Sequence, residues 1–158
     1  RVVENELIGF PDDTESPGPT VVTSATLATV AGWFPWVSVE ETRARFRENL
    51  EIGGVEPFWE DRLYGPEGES VRFQVGEVLF EGTNPCQRCA VPPRDPLTGE
   101  NRPAGFAKQF GEKRRETLPA WASADRFDHY YRLTVNTRLA AGEGKVIAVG
   151  GEVRGLGL

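Results

Sequence analysis

The chain has 158 residues, of which 39% are apolar and 27% charged, with a net charge of −6. One folded domain with a real core is the expectation, and a disordered chain is excluded. The acidic balance and the lack of a basic stripe argue against nucleic acid as a partner, because phosphate contacts supply most of the affinity of duplex binders.

Gly (18) and Pro (12) are abundant, which favours many short elements joined by turns over a helical bundle. Arg outnumbers Lys by 15 to 3, and Arg suits a small anionic ligand through its bidentate fork. Two cysteines exclude a disulfide-dense scaffold and a four-cysteine cluster. There is no Met, position 1 included, so a piece of a longer polypeptide is expected. Pro19–Val39 carries no charge, but its Thr and Ser content, Gly32 and Pro35 speak against a membrane span. No signal peptide precedes it, and a cytoplasmic protein is expected.

In chain order, residues 9–20 hold three prolines and three acids and read as a linker or exposed loop. Ser24–Phe34 has helical apolar spacing and stops at Pro35. Ser38 followed by Glu41 is a capping-box pattern, opening a helix through Arg47. Leu50–Ile52 reads as a strand ending at Gly53-Gly54. Val71–Val75 and Val78–Phe80 alternate and are joined by Gly76-Glu77, a hairpin signal. Phe106–Leu118 predicts a short surface helix, with Lys113-Arg114-Arg115 as a solvated face. Phe127–Leu139 and Lys145–Val149 supply the last strands, around a Gly142-Glu143-Gly144 turn. No βαβ rhythm appears, and a mainly β, barrel-like domain with a few helices fits best.

Several motifs carry no chemistry. Gly142–Lys145 lacks the leading glycine spacing and the hydroxyl residue of a phosphate loop. Gly150–Gly155 follows the expected final strand and opens no helix, so it is no dinucleotide fingerprint. His129 is the sole histidine, sits in an expected strand and has no nucleophile elbow to serve.

Cys86-Gln87-Arg88-Cys89 is the sharpest local signal. A redox dithiol would need a helix N-terminus to lower the thiol pKa, and a Pro-rich segment follows instead. A zinc site needs four ligands, and this is half of one plus a lone His. A single thiolate on a soft, high-valent metal, with Arg88 beside it, remains open, as does a pair of unreactive loop cysteines.

Phe46-Arg47-Glu48-Asn49, Gly54, Pro57-Phe58-Trp59-Glu60-Asp61, Arg88-Cys89 and Asp95–Glu100 occur in an order and spacing that resemble the MOSC domain, the family of the molybdenum cofactor sulfurase C-terminus. The resemblance covers Val21–Val153. It implies a compact β-barrel-like fold that holds the molybdenum cofactor, with residues 1–20 as a linker or remnant and 21–158 as the domain. In the amidoxime-reducing branch the cysteine after Arg is the metal's thiolate ligand, which is Cys89 here. Arg47 and Asn49 fall where that branch contacts the pterin phosphate and adjoining groups, Gln87 and Arg88 lie in the loop beside the metal, and one of Tyr130 and Tyr131 matches a contact. Asp61, Asp95 and Thr98 are expected to shape loops.

The reducing enzymes carry a further N-terminal β-rich domain, whereas about twenty residues precede the match here. No iron–sulfur domain follows it, so the resemblance implies a separate electron-donor protein. The leading expectation is an oxidoreductase that reduces small N-hydroxylated compounds. The alternatives are a non-catalytic cofactor-binding or sulfur-carrier module using Cys86 and Cys89, and a domain that keeps the fold without the cofactor.

Overall fold

The computed structural model describes residues 13–101 and 104–156. Six strands form one curled sheet of order β2-β1-β5-β4-β3-β6. They are β1 (Val21–Thr23), β2 (Leu50–Ile52), β3 (Val71–Val75), β4 (Val78–Gln87), β5 (Arg132–Ala141) and β6 (Val153–Leu156). Three helices, α1 (Ser24–Gly32), α2 (Val39–Phe46) and α3 (Phe106–Glu116), pack against it. The mainly β, half-barrel architecture agrees with the fold expected from sequence. Among the described residues no helix is long and apolar enough to cross a membrane.

The β3–β4 hairpin is antiparallel, from Val75↔Val78 out to Val71↔Gly82, as the Gly76-Glu77 signal predicts. β1 runs parallel to β2, and every other pairing is antiparallel. β4 and β5 pair over their length with three register offsets, and such bulges bend and twist a sheet. The offset at Thr83 also changes which face β4 shows. Val78, Phe80 and Gly82 are buried alternately, after which Pro85 takes the inward place and Asn84 and Cys86 turn outward. Gly82 is required for packing: a Cβ there would lie 1.9 Å from the Leu63 carbonyl oxygen.

The core has two clusters. One, around Phe73, Phe80, Leu63 and Val135, fills the sheet's concave face. The other, around Phe34, Phe46, Phe58, Phe106 and Phe110, joins the three helices to Leu133 of β5. Phe110 is its centre, edge-on to Trp33 (5.2 Å) and to Tyr131 (5.3 Å).

Four expectations need correction. α3 is no mere surface helix, because Phe106, Phe110 and Arg114 form a buried face at helical spacing. Arg114, in the middle of the expected solvated run, is 1% exposed and donates to Asp61. Its guanidinium also lies over Phe58 and Phe127, one ring from each core cluster, so a charge bridges the two. The strand expected over Phe127–Leu139 starts only at Arg132, since a short 3₁₀ turn (Ala124–Arg126) and an Asp128–Arg132 ion pair occupy its approach. Residues 145–149 are a loop, and the last strand is β6, which begins within the Gly150–Gly155 segment expected to follow the final strand. Alternating apolar residues drew the reading to Val146 and Val149, both of which stand in solvent.

Candidate cofactor cleft

The capping box read from sequence forms as expected. Glu41 N–H donates to Ser38 Oγ (3.1 Å), and Ser38 N–H donates to Glu41 Oε2 (3.2 Å). It starts α2, which ends at Arg47 in the left-handed region (φ 56°). That reversal turns Arg47 and Asn49 outward, both exposed, just before β2. Asn49 Oδ1 accepts from Thr20 N–H (2.9 Å) and Thr20 Oγ1 (3.1 Å), which fixes the carboxamide and leaves Nδ2 as a donor without a protein partner among the described residues.

Glu48, between them, is half-buried, and its Oε2 has no partner among the described residues. Burial raises its pKa above the usual carboxylate range, against the pull of Arg88 and Arg43.

On the opposite wall, β4 delivers Cys86 and Gln87, and an irregular loop follows with Arg88, Cys89 and Val91–Arg94. The offset between Pro85↔Val135 and Gln87↔Arg132 sets two steps on β4 against three on β5. Thr134, in that bulge, is held at φ 68°, a strained conformation for a β-branched residue. Both cysteines are free: Cys86 is half-buried and Cys89 exposed.

Arg88 turns inward. Its guanidinium donates to the Phe46 carbonyl, to Cys86 Sγ (3.3 Å) and to Thr134 Oγ1 (3.4 Å), and its backbone N–H donates to the Tyr131 carbonyl (3.1 Å). The expected neighbour of Cys89 is thus bonded to Cys86.

These walls enclose a solvent-open cleft of about 1140 Å³. Arg47, Asn49, Gln87, Arg88 and Cys89 all line it, as does Cys86. The third wall was not foreseen. Residues 13–20, read as part of a linker, lie along β4 and β5: Gly18 N–H donates to the Thr137 carbonyl (2.8 Å), Thr137 Oγ1 to the Pro19 carbonyl (2.6 Å), and Asn136 Nδ2 to Asp13 Oδ2 (3.2 Å). A Cβ on Gly18 would fall 2.7 Å from the Thr137 carbonyl oxygen, so this close approach depends on glycine.

The cleft is locally basic in an acidic chain, with Arg45, Arg47, Arg88 and Arg132 against Asp13 and Glu15. Three of those arginines are spent inside the protein. Arg132 pairs with Asp128 (2.7 Å) and the Pro85 carbonyl (3.1 Å), Arg45 holds carbonyls of the Cys89 loop, and Arg88 is bonded as above. Among the described residues, Arg47 is the cleft arginine with neither ion pair nor side-chain hydrogen bond.

The remaining sequence candidates fall as follows. Asp95 shapes its loop, Oδ1 accepting from Leu97 N–H (2.9 Å) and Thr98 N–H (3.0 Å). Asp61 instead holds Arg114, in the core. Tyr131 is the member of the tyrosine pair near Cys89 and Arg88; its half-buried hydroxyl lacks a partner among the described residues, and burial raises its pKa. Tyr130 stacks on Phe127 (5.6 Å), away from the cleft. His129 precedes β5, its Nδ1 accepting from Tyr131 N–H (3.2 Å). Among the described residues no three His, Cys, Asp or Glu side chains converge on a metal position.

Sequence reading missed Arg45, whose face of α2 was legible. Thr42, Arg45 and Phe46 lie at i, i+3 and i+4, and all three are buried.

Fold and site together define a curled, mostly antiparallel sheet with a basic cleft and a free thiol at its rim. The chain belongs to the MOSC domain family, whose model matches residues 20–154. Relatives named molybdenum cofactor sulfurase are similar over 94 residues, 58% of this chain: 32% identical in Caenorhabditis briggsae and 28% in Caenorhabditis elegans. The chain spans 12% of each relative's length.

Proposed function

We propose that this domain binds the molybdenum cofactor in the cleft, takes Cys89 as the metal's thiolate ligand, and reduces small N-hydroxylated compounds. The observation that carries the reading is the placement of an exposed, free thiol at Cys89 across one cleft from Arg47, a guanidinium without a protein partner among the described residues. The donor set suits such a group. A metal already held by its own pterin sulfurs asks the protein for one soft ligand rather than three or four. The phosphate asks for a bidentate cation. Both residue types face the same basic space.

Arg47 would grip the phosphate, and Asn49 would donate through Nδ2 to the neighbouring polar edge, its carboxamide already oriented by Thr20. Cys89 supplies sulfur, Gln87 stands exposed beside it, and Arg88 holds the loop from within. When bound, the cofactor supplies two-electron oxygen-atom chemistry; the chain supplies orientation and charge. Electrons come from a separate donor protein.

The test is metal analysis of protein made in a host that synthesises the cofactor, beside Cys89→Ala. Near-stoichiometric molybdenum in the parent and its loss in the variant is the expected result. Molybdenum absent from both, or retained in full by Cys89→Ala, would sink the assignment.

One observation favours a second reading, a sulfur-carrier module. The guanidinium of Arg88 contacts Cys86 rather than Cys89, so the half-buried cysteine is the one with a cationic neighbour. A persulfide on Cys86, seen by peptide mass after exposure to a sulfur donor, would support it, and unmodified cysteines would remove it.

A further inference from the structure

We propose that Arg45 is a positioning residue for Cys89, with Glu41 as its counter-ion. The inference rests on the reading that Cys89 is the working thiol.

Regular pairing with β5 ends at Gln87↔Arg132, two residues before Cys89, so no ladder fixes the thiol. The loop is held at two points instead. Before Cys89, Arg88 reaches back to the Phe46 carbonyl at the end of α2. After it, Arg45 reaches forward from α2, Nη1 donating to the carbonyls of Pro92 (3.0 Å) and Arg94. Residues 89–91 are suspended between these anchors.

Arg45 is 2% exposed, and burying a guanidinium is costly unless its charge and its donors are matched. The charge and the two terminal nitrogens are matched, while Nε has no partner among the described residues. Nη2 lies 3.4 Å from Glu41 Oε1, Nη1 satisfies two carbonyls, and the guanidinium carbon sits 5.4 Å from the centre of the Trp36 ring. One planar fork meets the loop and the carboxylate at once, which a lysine ammonium cannot reproduce. Although Arg45 borders the cleft, its charge is consumed internally, so it acts on a ligand only through the loop.

The experiment compares Arg45→Lys and Glu41→Gln with the parent chain. In metal-free protein, amide hydrogen exchange is followed in peptides covering 89–94 and, as control, in β4 and β5. In protein from a cofactor-producing host, molybdenum content and the metal's thiolate absorption are read. Exchange over 89–94 should speed up about tenfold in Arg45→Lys while the strands hold their protection. Molybdenum should fall by about half or more, with the thiolate absorption shifted in what remains. If Arg45 merely stabilised the whole fold, its replacement would instead lower protection everywhere and leave the absorption of the bound fraction unchanged, which overturns the proposal.

Unchanged exchange over 89–94 in both folded variants overturns it as well. If Arg45→Lys does not fold, Glu41→Gln, which keeps the guanidinium and removes its counter-ion, decides by the same criteria. If the parent takes up no molybdenum, the cofactor reading fails, and the exchange measurement alone judges the anchor.

Discussion

Arg45 and Arg88 reach between α2 and the Cys89 loop in opposite directions: Arg45 donates from the helix to the Pro92 and Arg94 carbonyls, and Arg88 donates from the loop to the Phe46 carbonyl. Phe46 is the residue after Arg45, so both bonds meet at one helical turn. The same turn ends in the left-handed Arg47. The proposed phosphate grip and the proposed metal ligand therefore share one mount, which keeps their separation independent of either loop's own flexibility.

Arg47→Ala should weaken cofactor retention without unfolding the chain, because the side chain is exposed and makes no internal bond among the described residues. Losing a charge-assisted contact costs about 1.5–3 kcal/mol, or about ten- to a hundredfold in affinity. Molybdenum and pterin content after gel filtration, with melting temperature as control, checks this. Content equal to the parent's would remove Arg47 from the site.

Arg114→Met should destabilise the fold by about 3–5 kcal/mol, because it leaves Asp61 charged and buried. Adding Asp61→Asn to it should recover part of that loss. Urea titrations of both variants decide the matter; an unperturbed midpoint in Arg114→Met would show that the pair contributes nothing.

Glu60 is 1% exposed, with Oε2 bonded to Thr26 Oγ1 (2.9 Å) and Oε1 without a partner among the described residues. Burial, and then the neighbouring Asp61, push its pKa up to about 7. Between the ordinary carboxylate value and that point the folded chain holds a proton that the unfolded chain has released. This contribution to stability is therefore complete below about pH 4.5 and is lost as pH rises through about 7, a total of about 3 kcal/mol. Glu60→Gln should flatten that slope when urea midpoints are compared across the range. Parallel slopes in parent and variant would refute it.

Gly82→Ala should cost more than about 3 kcal/mol, since the new methyl would meet the Leu63 carbonyl and neither backbone can yield within the packed sheet. Circular dichroism melting is enough to see it. A variant as stable as the parent would mean the turn at Trp59–Leu63 is free to move.

Local chemistry was the legible part of the sequence. The capping box at Ser38 and Glu41 rests on side chains bonding within a few residues and the hairpin at Gly76-Glu77 on a local backbone turn, and each forms as read; Asp95, expected from the signature to shape its loop, does so by bonds just as local. Arg47, Asn49, Gln87, Arg88 and Cys89 were legible as candidates through the ordered signature, and the fold brings all five to one cleft. What the sequence concealed depends on distant partners. Arg114 reads as solvated within Lys113–Arg115 until Asp61, far away in the chain, is packed against it. The wall at residues 13–20 reads as a linker because its bonds go to Thr83, Asn136 and Thr137. The inward turn of Arg88 was equally hidden, since its acceptors come from α2 and β5.

The bulge at Thr83 sets more than curvature. Because side chains alternate along a strand, one supernumerary residue acts as a half-turn switch for everything beyond it. Deleting Thr83 would rotate Asn84 and Cys86 together onto the core face and bring Pro85 out, stripping Asn84 and Cys86 from one wall of the cleft while leaving Val78 and Phe80 in place. Each of the three offsets between β4 and β5 is thus a single-residue dial, and the lining of this cleft can be redrawn by changing length rather than composition.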